Sequence, residues 1–245
     1  MTAGVRQIVR FNWPFYAGAT SAIAVAMWSL HARVPSTPIR TFTFVATGVV
    51  TFWIVGSLGA SWLVYDHSEL TRWRWVVDLI GRPKSWINIH AGLDQSSPAL
   101  HRWLGSGGRT FDIFDPAEMT EPSIVRAQRA SGIEIESEPA DFRRLPAATG
   151  SVNAVLLLLS AHELRAETSR LALFGELRRV LADGGKVIVA EHLRDAANFA
   201  VFGPGALHFH SRRTWARCFA RSGFAIEAER AITPFVRVFV LGRCA

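Results

Sequence analysis

From Thr41 to Tyr65 the chain reads TFTFVATGVVTFWIVGSLGASWLVY, with no charged residue. A helix needs about 20 apolar residues to cross the hydrocarbon of a bilayer, so this run is read as a transmembrane span. A second apolar stretch, PFYAGATSAIAVAMWSL from Pro14 to Leu30, precedes it. A signal peptide is the competing reading there. However, HARVPSTPIR follows without a small-x-small cleavage site, and the longer run begins directly after it. The expectation is therefore a helical hairpin over residues 1–65, with spans at about 14–30 and 41–65 and a proline-containing turn. Arg6 and Arg10 before the hairpin and Arg72, Arg74, Arg82 and Lys84 after it outnumber Arg33 and Arg40 in the turn. The positive-inside rule then puts both ends in the cytoplasm, with the hairpin in an inner or plasma membrane.

Composition agrees with a chain partly in lipid: 49% of residues are hydrophobic and the mean hydropathy is +0.19. The 27 Lys+Arg against 20 Asp+Glu give a net charge of +7, which suits nucleic acid or an anionic membrane surface. The arginines are scattered and form no basic-aromatic stripe, so membrane lipid is the expected partner and nucleic acid is not. Cys218 and Cys244 are read as reduced thiols, and neither has metal-ligand spacing. Residues 66–84, DHSELTRWRWVVDLIGRPK, follow the hairpin. With Trp62, Tyr65, Trp73 and Trp75 set among arginines, they read as an interfacial linker helix at headgroup depth. A linker helix docked on the soluble domain is the alternative.

From residue 85 to 245 short β-branched runs alternate with helical segments. Strands are expected at Trp86–His90, Thr110–Phe114, Ile133–Ile135, Val152–Leu159, Lys186–Glu191, Phe224–Arg230 and Val236–Leu241. Such alternation implies an α/β fold with a parallel sheet covered by helices, and ligands at the carboxyl ends of the strands.

Three segments in this region carry a resemblance. FDIFDPAEM (Phe111–Met119), DFRRLPAATGSVNAVLLLLSAHEL (Asp141–Leu164) and FGELRRVLADGGKVIVAEHLRD (Phe174–Asp195) occur in an order and spacing that resembles class I S-adenosylmethionine-dependent methyltransferases, nearest to the quinone-biosynthesis and small-molecule type. The resemblance implies a Rossmann-like seven-stranded methyltransferase sheet over residues 85–245, preceded here by two transmembrane helices. It also implies S-adenosylmethionine as cofactor and methyl transfer to a small molecule.

Taken residue by residue, the resemblance puts Asp115 at the end of the second strand, where a carboxylate accepts hydrogen bonds from a ribose diol; a helix cap before Pro116 is the other reading. It puts Asp141 and Phe142 near the adenine, with a solvated loop carboxylate as the alternative for Asp141. His162, in SAHEL after the fourth strand, is placed for acid-base work, and a structural histidine is the alternative. The first loop, WINIHAGLDQSSPAL, departs from the family's glycine-rich pattern: Asn88 stands where an acidic residue is common, His90 and Asp94 fall on glycine positions, and Gly92 alone matches. These four side chains are expected to meet the methionine end of the cofactor or else to block it.

Beyond the fifth strand, NFAVFGPGALHFHSRRTW brings His208 and His210 beside several phenylalanines, which suits an aromatic or lipid-like acceptor with an ionisable head. His162, His208 and His210 are the candidate catalytic residues, one acting as general base. A metal held by His208 and His210 with Glu191 or His192 lacks a third ligand at a fixed spacing, and none is expected. The sequence thus points to a membrane-anchored methyltransferase acting on a quinone-, lipid- or aromatic-type molecule at the membrane surface. The alternative is a non-catalytic, membrane-tethered binding or scaffold protein with a degenerate cofactor loop.

Overall fold

The computed structural model describes residues 3–32, 36–130 and 137–244. Two long helices, α1 (Ala3–Ala32) and α2 (Thr37–Ser61), open the chain and pack along each other. α2 begins with Pro38 in its first turn, where the missing N–H costs nothing. It runs on through a π-helical turn, Trp62–His67, and a 3-10 turn, Leu70–Arg72. The run Thr37–Arg72 is the one helix among the described residues long and apolar enough to cross a membrane. Phe42, Phe44, Phe52 and Val55 are exposed along it.

The two expected spans are unequal, because α1 does not meet the same measure. Pro14 removes a backbone donor and crowds the preceding turn, and Asn12 beside it has left the helical conformation (φ −113°, ψ 17°). α1 is thereby divided into a proximal segment that packs on the rest of the chain and a distal segment whose apolar run is diluted by Thr20, Ser21 and Ser29. Arg33, counted in the turn between the spans, lies outside the described residues.

The remainder is a seven-stranded sheet of β1 (Trp86–His90), β2 (Gly108–Asp112), β3 (Glu138–Pro139), β4 (Val152–Leu158), β5 (Leu181–His192), β6 (Phe224–Thr233) and β7 (Val236–Arg243), in the order β3-β2-β1-β4-β5-β7-β6. The first five strands are parallel, and β7 enters antiparallel between β5 and β6. The helices between them are α3 (Trp75–Ile80), α4 (Ser97–Leu104), α5 (Pro122–Ala130), α6 (Glu167–Val180), α7 (Ala196–Phe202) and α8 (Arg212–Arg221). The expected strand Ile133–Ile135 lies outside the described residues.

Both sheet faces are covered, so the period of two along each strand sorts side chains between two cores. Ile87, Ile89, Val155, Leu157, Val187 and Val189 pack with Phe174, Trp215 and Phe219 of α6 and α8. Trp86, Ala154, Leu156, Ile188 and Val238 pack on the opposite face with Val76 of α3 and Leu100 of α4. Trp73 and Trp75, expected among headgroups, are buried in this second core, whereas Trp62 is exposed. α2 leans on α7, with the Trp53 and Phe199 rings edge to face at 6.2 Å. This brings the proximal part of α1 and the end of α2 over the carboxyl ends of β1, β4 and β5, around one cavity.

Candidate active site

A cavity of about 420 Å³ lies there, within the range of small-molecule sites. His90, Ala91 and Leu93 of the loop after β1, Ser160, His162 and Glu163 after β4, and His192 at the end of β5 contribute walls. His208 and Phe209 follow from the 3-10 turn Gly203–His208. Gln7, Ile8, Phe11 and Phe15 of α1 and Ser57 and Tyr65 of the second helical run complete it.

The centre of polar chemistry is His162. β4 ends at Leu158, and Leu159 adopts a left-handed backbone (φ 59°), uncommon for a branched residue. The turn directs Ser160 back onto β1, its hydroxyl donating to the Ile89 carbonyl at 2.8 Å. His162 follows in a 3-10 turn. Its Nδ1 lies 2.6 Å from Glu191 Oε2, while Glu191 Oε1 accepts from the amides of Ala161 and His162 at 2.9 and 3.2 Å. Glu191, fully buried at the end of β5, therefore fixes both the turn and the ring. Nε2 faces Glu163 Oε1 at 3.3 Å. Burial works against charge on His162, but the carboxylates of Glu191 and Glu163 outweigh it and push its pKa up to about 10. Burial likewise opposes charge on Glu163, yet His162 holds its carboxyl below the usual range.

His208 reaches the same wall, its ring edge-on to His162 at 5.3 Å. Its backbone carbonyl accepts from Arg165. Burial, reinforced by the His162 cation, pulls its pKa down to about 4, so it is neutral at physiological pH. His210 corrects the sequence reading: it does not line the cavity. Its Nε2 lies 3.0 Å from Arg170 Nη1 and its ring stands edge-on to Trp215 in the core. Burial and Arg170 press its pKa down to about 3. His192 is stacked on Phe209 at 4.9 Å and bonded to Tyr65 Oη at 3.0 Å.

His208 and His210, weighed in the sequence as a metal pair with Glu191 or His192, do not share a site, since His210 packs against Arg170 and Trp215. His162, Glu163 and His208 do present ligand atoms within 4.8 Å of one another, a spacing that admits an ion.

The loop after β1 divides by direction. Asn88 shares a sheet face with Trp86, so it points under α4 and not into the cavity. Its amide donates to Ser96 and Ser97 hydroxyls at 2.9 and 2.8 Å. Asp94 turns the same way, its Oδ1 accepting from the Ser96 and Ser97 amides at 3.0 Å at the start of α4. Neither lines the cavity, although the sequence sets both either to meet the methionine end of the cofactor or to block it. His90 does line it: Nε2 is 2.8 Å from Ser137 Oγ, and the buried Nδ1 has no hydrogen-bond partner. Gly92 sits at φ 77°, where a side chain would strain the backbone and strike Gln128 at 2.9 Å.

β2 ends at Asp112, three residues before Asp115. Asp112 Oδ1 accepts from Gly92 N at 2.8 Å and Phe114 N at 2.9 Å, joining the first two strand ends. Asp115 instead caps the next turn through Ala117 N, with Arg143 at 3.6 Å. Asp141 is largely exposed, and its Oδ1 accepts from Arg143 N at 2.8 Å. Phe142 beside it is fully buried. Sequence reasoning passed over Asp112 and Glu163 as site residues, and weighed Glu191 as a metal ligand, not as the partner of His162. The signal was present for Asp112 and Glu191, which end strands whose carboxyl ends form the site.

Residues 98–189 match the methyltransferase domain family. No curated protein matches the chain. Among solved structures it is similar to an S-adenosylmethionine-dependent methyltransferase from Aquifex aeolicus, at 14% identity and TM-score 0.52 over 70% of this chain and 92% of that one. It is also similar to geranyl diphosphate C-methyltransferase from Streptomyces coelicolor A3(2), at 15% identity and TM-score 0.52 over 71% and 79% of the two chains. The pyocyanin biosynthetic protein PhzM aligns at 18% identity and TM-score 0.58, over 99% of this chain and 74% of that one. The sheet order, the cavity at its carboxyl edge and the matched segment identify a class I S-adenosylmethionine-dependent methyltransferase fold carrying the methyltransferase-domain sequence at its centre.

Proposed function

We propose that this chain is a membrane-anchored methyltransferase that moves a methyl group from S-adenosylmethionine to a hydroxyl-bearing hydrophobic molecule, of quinone, lipid or aromatic type. The observation that carries this reading is the His162–Glu191 pair on the wall of a largely apolar cavity beside the cofactor-type loop.

The strand ends fit the cofactor in kind. Gly92 at positive φ lets the loop turn tightly against Gln128 and Phe114, and His90 places its Nδ1 3.7 Å from Asp112 Oδ1, beside the end of β2. Asp112 and Asp115 offer half-exposed carboxylates, and Asp141 and Phe142 follow β3. Bound there, S-adenosylmethionine supplies an electrophilic methyl group. Asn88 and Asp94 act at one remove, by shaping the loop.

The chain's own part is to place the acceptor oxygen and take its proton. His162 receives that proton at Nε2, and Glu191 is a positioning residue that holds Nδ1. Because two carboxylates stabilise the imidazolium, His162 is a strong base that is mostly protonated at neutral pH. His208 stays neutral and offers a hydrogen bond to the acceptor. α2 crosses the bilayer. Residues 13–32 of α1, about 30 Å of helix at 1.5 Å per residue, lie beside it, with the catalytic domain on the cytoplasmic side.

Titration calorimetry of the detergent-solubilised protein with S-adenosylmethionine and S-adenosylhomocysteine tests the reading, and heat is expected with both. Silence with both would favour the second reading, a tethered scaffold without cofactor. The inward turn of Asn88 and Asp94 and the cover of Gln128 over Gly92 are the observations on its side.

A further inference from the structure

We propose that the first turns of α1, residues 3–12, are a strap that shuts the cavity from water, and that the acceptor enters sideways from the bilayer between α1 and α2. This assigns the acceptor a chemical class: an amphiphile with a nucleophilic head on a long hydrocarbon body. It rests on the methyl-transfer reading only for the chemistry of the head.

The strap is fastened at both ends. One carboxylate, Asp66, accepts from Gly4 N at 2.8 Å and from Val5 N at 3.0 Å, satisfying donors that a helix start leaves open. At the other end the kink at Asn12 and Pro14 breaks the helical ladder, and the Phe11 carbonyl accepts from Arg126 Nε at 2.5 Å. Between the fastenings the fit is close: a Cβ on Gly4 would lie 2.7 Å from Tyr65 Cβ. Val5 and Phe11 are the two buried residues of α1. Gln7, Ile8 and Phe11 face the cavity from this segment.

Past the kink the cavity wall continues onto Phe15 and Tyr16 of α1 and Ser57 of α2. Tyr16 Oη and Ser57 Oγ, 3.3 Å apart, make one polar rung between the helices. Beyond that rung both helices turn apolar side chains outward, Val25 and Trp28 on one and Phe52 and Val55 on the other. The wall is thus continuous with the run apolar enough to cross a membrane. His162, Glu163 and His208 lie at the strand ends, and toward the hairpin Phe11 and Phe15 share the wall with Asn12, Tyr16, Ser57 and Ser61. A head placed at His162 directs its tail between the helices. Residues 3–12 cover the cavity on the side of α1.

The test uses the full chain in phosphatidylcholine vesicles and two photoreactive phenols, one with a long alkyl chain ending in a diazirine and one short and water-soluble. The long probe is expected to label residues near Phe15 and Ser57, and Ser57→Trp, which fills the gap, should cut that labelling by about tenfold, the scale on which a close fit discriminates. The short probe should label the cavity poorly in the wild type and better in Asp66→Ala, which loosens the strap. Labelling confined to outward residues such as Phe42 and Phe44, or equal cavity labelling by both probes in the wild type, would overturn the proposal. So would a protein that stays dimeric without detergent and ignores the vesicles, because a second copy would then cover the helices. Calorimetry with S-adenosylmethionine accompanies each variant: retained heat shows a folded protein. Cavity labelling without heat in the wild type would defeat the methyl-transfer reading and leave the route standing.

Discussion

The loop after β1 and the turn after β4 hold similar side chains, a histidine and a carboxylate within a few residues of a strand end, and use them in opposite ways. In the first, Asn88 and Asp94 turn inward to fasten α4, and only His90 faces the cavity. In the second, His162 and Glu163 face the cavity, and the inward role passes to Glu191 from the neighbouring strand. Residue type and position relative to a strand do not decide between structure and chemistry. The direction of the side chain does, and that is set by which sheet face the strand presents and which helix covers it.

Four measurements bear on this contrast, and the most severe is His162→Ala. A positioned base contributes about 10² to 10⁴ in rate, so methyl transfer should fall by that factor while cofactor affinity, read by calorimetry, stays close to wild type. A milder loss would move His162 to the structural side of the comparison.

The pH profile comes next. The pKa of His162 is raised, so its basic form is scarce below about 10. Activity should therefore climb by about tenfold for each unit of pH at neutral to mildly alkaline values, and Glu191→Gln, which removes one stabilising charge, should move the rise to lower pH. A profile that levels off near the ordinary histidine value would separate the ring from its carboxylates.

Asn88→Ala addresses the first loop. It leaves the buried hydroxyls of Ser96 and Ser97 short of a donor, a loss of about 1–3 kcal/mol in stability, measured by chemical denaturation. Asp94→Ala should cost about 1 kcal/mol as a lost helix-start acceptor. If either variant instead abolished cofactor heat while keeping its stability, the loop would belong with the turn after β4 as contact chemistry.

The fold was largely legible in the sequence. β1 lies at Trp86–His90 as expected, and β4, β6 and β7 start at the expected residues, because buried strands of β-branched residues bounded by turns leave a strong local pattern. β2 lies earlier than its pattern suggests: the run Thr110–Phe114 points to an end beside Asp115, but the strand starts at Gly108 and stops at Asp112. The site was half legible. His162 and His208 both line the cavity, whereas His210, two residues on, packs on Trp215. Neighbours two apart share a face only on an extended segment, and the 3-10 turn that ends at His208 removes that relation. The pairing of Glu191 with His162 is not legible, because the two lie 29 residues apart in the chain and no local pattern carries such a pairing.

The fastenings of the first helix also impose an order on biosynthesis. Gly4 is translated 62 residues before Asp66, and Phe11 115 residues before Arg126. Since a chain is made from its amino terminus at about 5–20 residues per second, both helices are made before the domain they pack on exists. Residues 3–12 are then secured only after Arg126 has been made. Ribosome-bound chains that stop short of Arg126 should remain open to protease at residues 3–12, and the finished protein should be closed there. On the proposed reading, the cavity would close only with that last fastening.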